Sequence, residues 1–186
     1  MPNEIDLLQE DIDKRKERLK LLAVLFFSGA LSLVAWREAM RWQIEELYIL
    51  AYTLGRGGLD KMIEADWLRL QQVLDQHYQY LDKFAHDVRG MSEAQAQARA
   101  ALYAQSAYQA YSVGQEQAAG QGALILPAHP GDISTECGSN CRCHWRIEDR
   151  SGGGWNCYWE VEPKAESCKD CLERGEKWAP LIVWLK

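Results

Sequence analysis

The residues in this chain best suited to chemistry are its six cysteines, all of which lie after residue 136. They are spaced Cys137-x3-Cys141-x-Cys143, then Cys157, then Cys168-x2-Cys171. A C-x2-C pair on a tight turn lets two thiolates reach one metal ion at about 2.3 Å. A second cluster upstream, joined to the first by a hairpin, can supply the remaining ligands. The implied centre is a structural Zn2+ site with the outline of a zinc ribbon or knuckle, although C-x3-C-x-C is not the usual first half. The candidate ligands are Cys137, Cys141, Cys143, Cys168 and Cys171. Cys168 and Cys171 lead, Cys137 follows, and Cys141 and Cys143 compete for the fourth place. Cys157 reads as a small buried thiol, and His129 and His144 are possible substitutes. Disulfides and free buried thiols are the alternatives to metal. The segment Met1 to Lys20 is dense in both charge signs and lacks the apolar core of a secretory signal. The expected setting is therefore a reducing cytosol, where clustered cysteines bind metal more often than they form disulfides.

A catalytic zinc would keep an open position beside a general acid or base. The chain has no H-E-x-x-H and no H-x-E followed by P-C-x-x-C, and its four histidines (His77, His86, His129 and His144) form no ligand set by spacing. Phosphate-cradling glycine patterns and the G-x-S-x-G elbow are missing as well. No enzyme is expected, and Glu45, Glu46 and Asp82 read as solvated helix charges. The net charge is -6, so the chain as a whole is not built to bind phosphates through counterion release. Arg142, His144, Arg146 and Arg150 form a modest basic face on the tail, which makes DNA contact a lesser alternative. A metal-dependent hydrolase is another.

The elements that must position these cysteines follow from periodicity. The expected class is mainly α with a small β part (α+β). A bundle of long helices over residues 1–122 is followed by a cysteine-rich, zinc-stapled β-hairpin module over residues 123–186. The first helix runs from about Glu4 to Phe27, with charges of both signs three and four apart. Ser32 is a fitting N-cap for a second helix whose apolar face is Trp36, Met40, Ile44, Leu47, Ala51 and Leu54, closed by Gly55-Arg56-Gly57-Gly58. The third helix, about Glu64 to Val88, carries Trp67, Leu70, Leu74, Tyr78, Leu81 and Ala85. Ser92 and Gln95 form a capping box for an alanine-rich fourth helix that reaches about Ala119 and is ended by Gly120-Gln121-Gly122. Cys141, Cys143, Trp145 and Ile147 alternate with Arg142, His144, Arg146 and Glu148, and Trp155, Cys157, Trp159 and Val161 repeat the pattern. This predicts a hairpin around Ser151 to Gly154. The uncharged run Leu21 to Trp36 spans roughly 24 Å as a helix, short of a hydrocarbon core of about 30 Å. A helix end running into a turn is the better reading there than a membrane span.

Several of these residues resemble a known group. Leu54-Gly55-Arg56-Gly57-Gly58, Asp66-Trp67 and Tyr80-Leu81-Asp82-Lys83-Phe84-Ala85 are similar to the helical region of tailed-phage head-morphogenesis or minor head proteins. Cys137, Asn140-Cys141-Arg142-Cys143 and Cys168-Lys169-Asp170-Cys171 are similar to their cysteine-rich end. His129-Pro130 followed by Asn140-Cys141-Arg142-Cys143 resembles the His-Pro-Asn-Cys-Arg-Cys ending of the phage Mu-like minor head family, split here by an insertion. The order of the C-x2-C pair and the Asn-Cys-x-Cys cluster is reversed relative to that family, and Cys157 has no counterpart. The resemblance implies a virion or assembly component made in a bacterial cytoplasm. Its partners would be portal or capsid proteins or further copies of itself, and it would be multimeric within a particle. Oligomerisation of the isolated chain is expected through Leu21 to Trp36.

Overall fold

A computed structural model describes residues 4–120, 124–132, 134–138, 141–162 and 167–184. The expected helix end at Gln121-Gly122, the boundary between 122 and 123, and Asn140 lie outside those residues. The chain is mainly helical, with a small antiparallel sheet and a cysteine cluster at its C-terminal end, an α+β fold.

Helix α1 spans Glu4–Phe27 and α2 spans Leu33–Arg56. The turn between them uses Gly29 at a φ of 79°, and Ser32 caps α2 by accepting from the Ala35 amide. The apolar end of α1 finds its partner inside the chain. Phe26 packs on Trp36 with ring centroids 5.5 Å apart, and Trp36 packs on Phe84 at 5.1 Å. Among the described residues, no helix is long and apolar enough to cross a membrane.

Helix α2 runs through Gly55 and stops at Gly57, whose left-handed φ of 86° returns its amide to the Leu54 carbonyl. Gly55 is therefore not the terminator. It sits opposite Tyr111, where a Cβ on Gly55 would collide with that residue's backbone carbonyl. Helix α3 spans Glu64–Asp87. Its buried stripe is Asp66, Leu70, Leu74, His77, Leu81, Phe84 and Ala85, which differs from the expected one at its first turn. Trp67 is 43% exposed, whereas Asp66 is turned inward. There Asp66 accepts from Tyr52 Oη at 3.0 Å, Arg56 Nε at 3.1 Å and the Ile63 amide at 2.9 Å. The corner between α2 and α3 is thus closed by a buried ion pair.

The single fourth helix expected from the sequence is two: α4, Glu93–Gln105, and α5, Ala107–Gly120. The capping box of Ser92 and Gln95 opens α4 as expected. At the break the Ser106 hydroxyl donates to the Leu102 carbonyl at 3.0 Å, a back-bond of the kind that bends helices. The bend lets the two halves follow different partners, α4 lying along α1 and α5 along α2. Fully buried Ala96, Ala100, Ala104 and Ala107 permit the close approach.

Strands β1 (His144–Asp149) and β2 (Trp155–Glu160) form the expected hairpin, with Trp145 opposite Trp159 and Ile147 opposite Cys157. The strand begins later than the alternation suggested, so Cys141 and Cys143 lie in the approach to it rather than within it. Helix α6 (Lys169–Lys177) and strand β3 (Leu181–Val183) were not expected. β3 pairs antiparallel with β2. Two separate apolar cores result. One is held by α1 to α5 and the other by the sheet, the cysteines and Leu124, Leu126 and Ala128.

Candidate metal centre

Two segments carry the thiols. The first is the loop before β1. Asp132 organises its start by accepting from the His129 amide at 2.7 Å and the Ser134 amide at 2.9 Å. The chain then turns through Thr135 to Gly138, where Gly138 at a φ of 53° donates to the Thr135 carbonyl at 2.8 Å and Cys141 donates back to Gly138. That turn brings Cys137 and Cys141 to one side. The second segment is the start of α6, with Cys168 just before its first residue and Cys171 in its first turn.

The two segments meet at sulfur. Cys171 Sγ is 3.5 Å from Cys137 Sγ and 3.5 Å from Cys141 Sγ, and the three lie within 4.8 Å of one another. Cys168 Sγ is 3.3 Å from Cys137 Sγ. Four thiolates on a tetrahedron with metal–sulfur bonds of about 2.3 Å have edges of about 3.8 Å. The sulfur positions here are close to that spacing, so the cluster could hold a metal ion. Cys143 is also buried against Cys141 and Cys171 but is not one of the three mutually close thiols. Cys157 is fully buried on the inner face of β2.

Without a cation, the surroundings of the cluster keep most of its thiols protonated. Its hydrogen bond with Cys143, together with burial, holds the Cys141 thiol well above the ordinary range, and Cys171 is held up by its hydrogen bond with Cys141 and by burial. Cys143 is drawn down by Cys141 but pushed up further by Cys171 and burial, to about 12. Cys168 is the exception. Burial raises it, but hydrogen bonds from the backbone of Cys171 and from Cys137 outweigh that and set it below the usual thiol value. Closely packed sulfurs in an apolar surround cannot all ionise unless positive charge joins them, and a divalent ion deprotonates such ligands outright.

Contacts outside the cluster hold the loop and α6 together. Asp170 Oδ2 accepts from the Glu136 amide at 2.7 Å. Arg174 donates to the Ser134 hydroxyl at 3.0 Å and to the Ser134 carbonyl at 2.7 Å. The same guanidinium lies 5.2 Å and 5.4 Å from the ring centres of Trp159 and Trp178. Thr135 Oγ1 is 3.3 Å from Cys137 Sγ. The sequence reading missed Asp170 and Arg174. The available signal was their i, i+4 spacing on one face of a short helix that begins at the C-x2-C pair.

The other candidates are occupied elsewhere. His129 Nε2 is 2.7 Å from Glu116 Oε2 of α5, and Glu116 Oε1 accepts from the Leu126 amide at 2.9 Å. This pair docks the tail onto the helices. His144 Nε2 is 3.1 Å from Glu160 Oε2 on the outer face. Arg146 is bonded to both Glu160 and Glu148, and Arg150 stacks on Trp184 at 4.4 Å. Much of the charge on the supposed basic face is therefore answered by neighbouring carboxylates. No protein-family model, curated protein or solved structure matches this chain.

Proposed function

We propose that the chain is a structural protein of a tailed-phage head. In this reading Cys137, Cys141, Cys168 and Cys171 hold one Zn2+ that staples the loop before β1 to the start of α6 within the tail module. The observation that carries the metal part is the convergence of Cys137 and Cys141 with Cys171, thirty or more positions away in sequence. All-thiolate donors favour zinc over the oxygen-seeking cations, and a closed tetrahedral set is the arrangement of structural rather than catalytic zinc. The small sheet has one buried face and little core of its own, so metal binding would supply folding free energy there.

The head assignment is supported by the residue resemblance. Within it, Arg56, Gly57 and Asp66 are the residues that build the α2–α3 corner. That corner also exposes Leu59, Ile63, Trp67 and Leu68, an apolar set suited to a portal or capsid partner. In the expected contact region Leu21 to Trp36, Ala23 and Trp36 are buried in the bundle and Leu22, Phe26, Phe27, Leu31 and Leu33 pack partly against it, while Leu21 and Val34 stay exposed. A closed zinc site argues for a rigid docking module and against a hydrolase.

The metal reading is tested by elemental analysis of the purified full chain. One zinc per chain, removed only together with loss of tertiary tryptophan signals, is expected. A metal-free protein whose tail stays folded in reductant and chelator would overturn it. The head reading is tested separately by mass spectrometry of purified particles. The chain should sediment with portal and capsid proteins, and its absence from both particles and assembly intermediates would remove the assignment.

A further inference from the structure

Four thiolates close a structural zinc centre, yet the tail gathers five neighbouring thiols. They divide by exposure. Cys141, Cys143 and Cys171 are at most 3% exposed, whereas Cys137 and Cys168 are only half-buried. The sulfurs of that outer pair lie 3.3 Å apart, closer than the 3.5 Å that separates Cys171 from Cys137 or from Cys141. All six cysteines are free thiols. Cys137 and Cys168 are thus the pair in which a dissolved oxidant meets two adjacent sulfurs.

Oxidation selects thiols that are exposed and that have a second thiol beside them to resolve the first product. The outer pair meets both conditions. Cys157, fully buried on the inner face of β2, fails the first, as do the three inner thiols of the cluster. A disulfide bond is about 2.05 Å long, so the two outer sulfurs must close by roughly 1.3 Å. Cys137 stands in the Thr135 to Gly138 turn and Cys168 just before the first residue of α6. Neither is fixed inside a helix or strand, which leaves room for that small approach.

We propose that Cys137 and Cys168 are a modification site for hydrogen peroxide, which converts them to a disulfide that replaces the metal as the staple between the loop before β1 and the start of α6. The sulfur that meets the peroxide attacks one of its oxygens. The O–O bond breaks, an S–O bond forms and one water leaves. The second sulfur then attacks the sulfenic sulfur, so that the S–S bond forms, the S–O bond breaks and a second water leaves. The pair gives up two electrons, which reduce the peroxide. The two protons come from the thiols, or from solvent where the sulfurs are metal-bound thiolates. A four-thiolate site stripped of two ligands is too poor to hold zinc, and Cys143 restores only a third ligand. The release of the ion rests on the metal reading, whereas the pairing does not.

The test treats the full, reduced, zinc-loaded chain with hydrogen peroxide. A chromogenic chelator follows the ion, and peptide mass mapping after thiol blocking locates any disulfide. One Cys137–Cys168 disulfide and the loss of one zinc per chain are expected to appear together and to be undone by a dithiol reductant. With chelator present, the oxidised chain should keep the tail tryptophan dichroism that the reduced chain loses. Cys137→Ser should leave the oxidation at Cys168 as a sulfenic acid open to trapping. A first disulfide that includes Cys141, Cys143 or Cys171, or zinc retained beside a Cys137–Cys168 bond, would overturn the proposal. So would six thiols that all remain open to blocking, a result read on the native chain even if the serine variant fails to fold. If the purified chain holds no metal, the mapping is run on it as it stands. The Cys137–Cys168 disulfide would then uphold the pairing while the metal reading fails, and its absence would sink both.

Discussion

At the scale of single residues, the six cysteines divide by where the chain puts them rather than by their spacing. Cys137, Cys141 and Cys171 lie together, Cys168 adjoins Cys137, and Cys143 is buried against Cys141 and Cys171. Cys171→Ser should abolish stoichiometric zinc, whereas Cys157→Ala should leave it at one per chain, both read by elemental analysis. Thr135→Val removes the hydroxyl beside Cys137 and should weaken zinc about 10-fold in a competition titration, the scale at which outer partners of metal ligands act. His77 makes a prediction of a different kind. Burial pushes its imidazole down to about 4 from an ordinary value of 6.5. Between those values the unfolded chain holds the extra proton. The contribution to stability is therefore complete above about pH 6.5 and is lost as pH falls toward 4, by on the order of 3 kcal/mol in all. Urea melts of the native protein and of His77→Gln at pH 7 and pH 5 should show a smaller pH loss in the variant.

At the scale of elements, helix crossings and corners decide the bundle. Gly55 of α2 and Gly114 of α5 face each other so closely that a Cβ on either meets the other helix's backbone. Gly114→Ala should cost about 1–3 kcal/mol, the usual penalty for overpacking, measurable as a lowered urea midpoint. The Asp66 carboxylate, 2% exposed, ties Arg56, Tyr52 and the Ile63 amide together. Asp66→Ala leaves a half-buried guanidinium without its partner and should cost about 3–5 kcal/mol by the same assay. The heptad-like stripe of α2 was readable from sequence because apolar side chains occupy nearly every inward position. The first turn of α3 was not. Period alone places the large Trp67 inside and the charged Asp66 outside, and a network drawn from α2 reverses them. The break at Ser106 was equally hidden, since no glycine or proline marks it.

At the scale of the whole molecule, two cores meet along α5. The helical one is self-sufficient in buried apolar residues, whereas the tail core is small and centres on Trp145, Trp159 and Trp178, whose rings lie 5.2 to 5.7 Å apart. Chelator with reductant should therefore remove the tail tryptophans' share of the near-ultraviolet dichroism, leaving that of Trp36 in the helical core, while far-ultraviolet helix signal is largely retained. Simultaneous loss of both would mean that the metal supports the bundle as well. Glu116 is the joint between the cores, since it accepts from Leu126 and His129 at once. Glu116→Ala should leave zinc content unchanged but raise amide exchange across residues 124–129.

The sequence by itself determined that the chain is mainly helical, where α1 and α2 lie, that α4 opens on a capping box, and that a tryptophan-lined hairpin follows. Those features rest on local periodicity, caps and alternation, all of which act over a few residues. It also singled out five thiols as a ligand pool. Only the tertiary structure decided which thiols meet, because that depends on a loop turned by Asp132 and Gly138 and on a nine-residue helix too short to announce itself. The splitting of α4 from α5, the inward turn of Asp66, the glycine crossing and the Glu116 joint were decided there too. Each is a contact between distant segments, and its free energy exists only once both segments are in place.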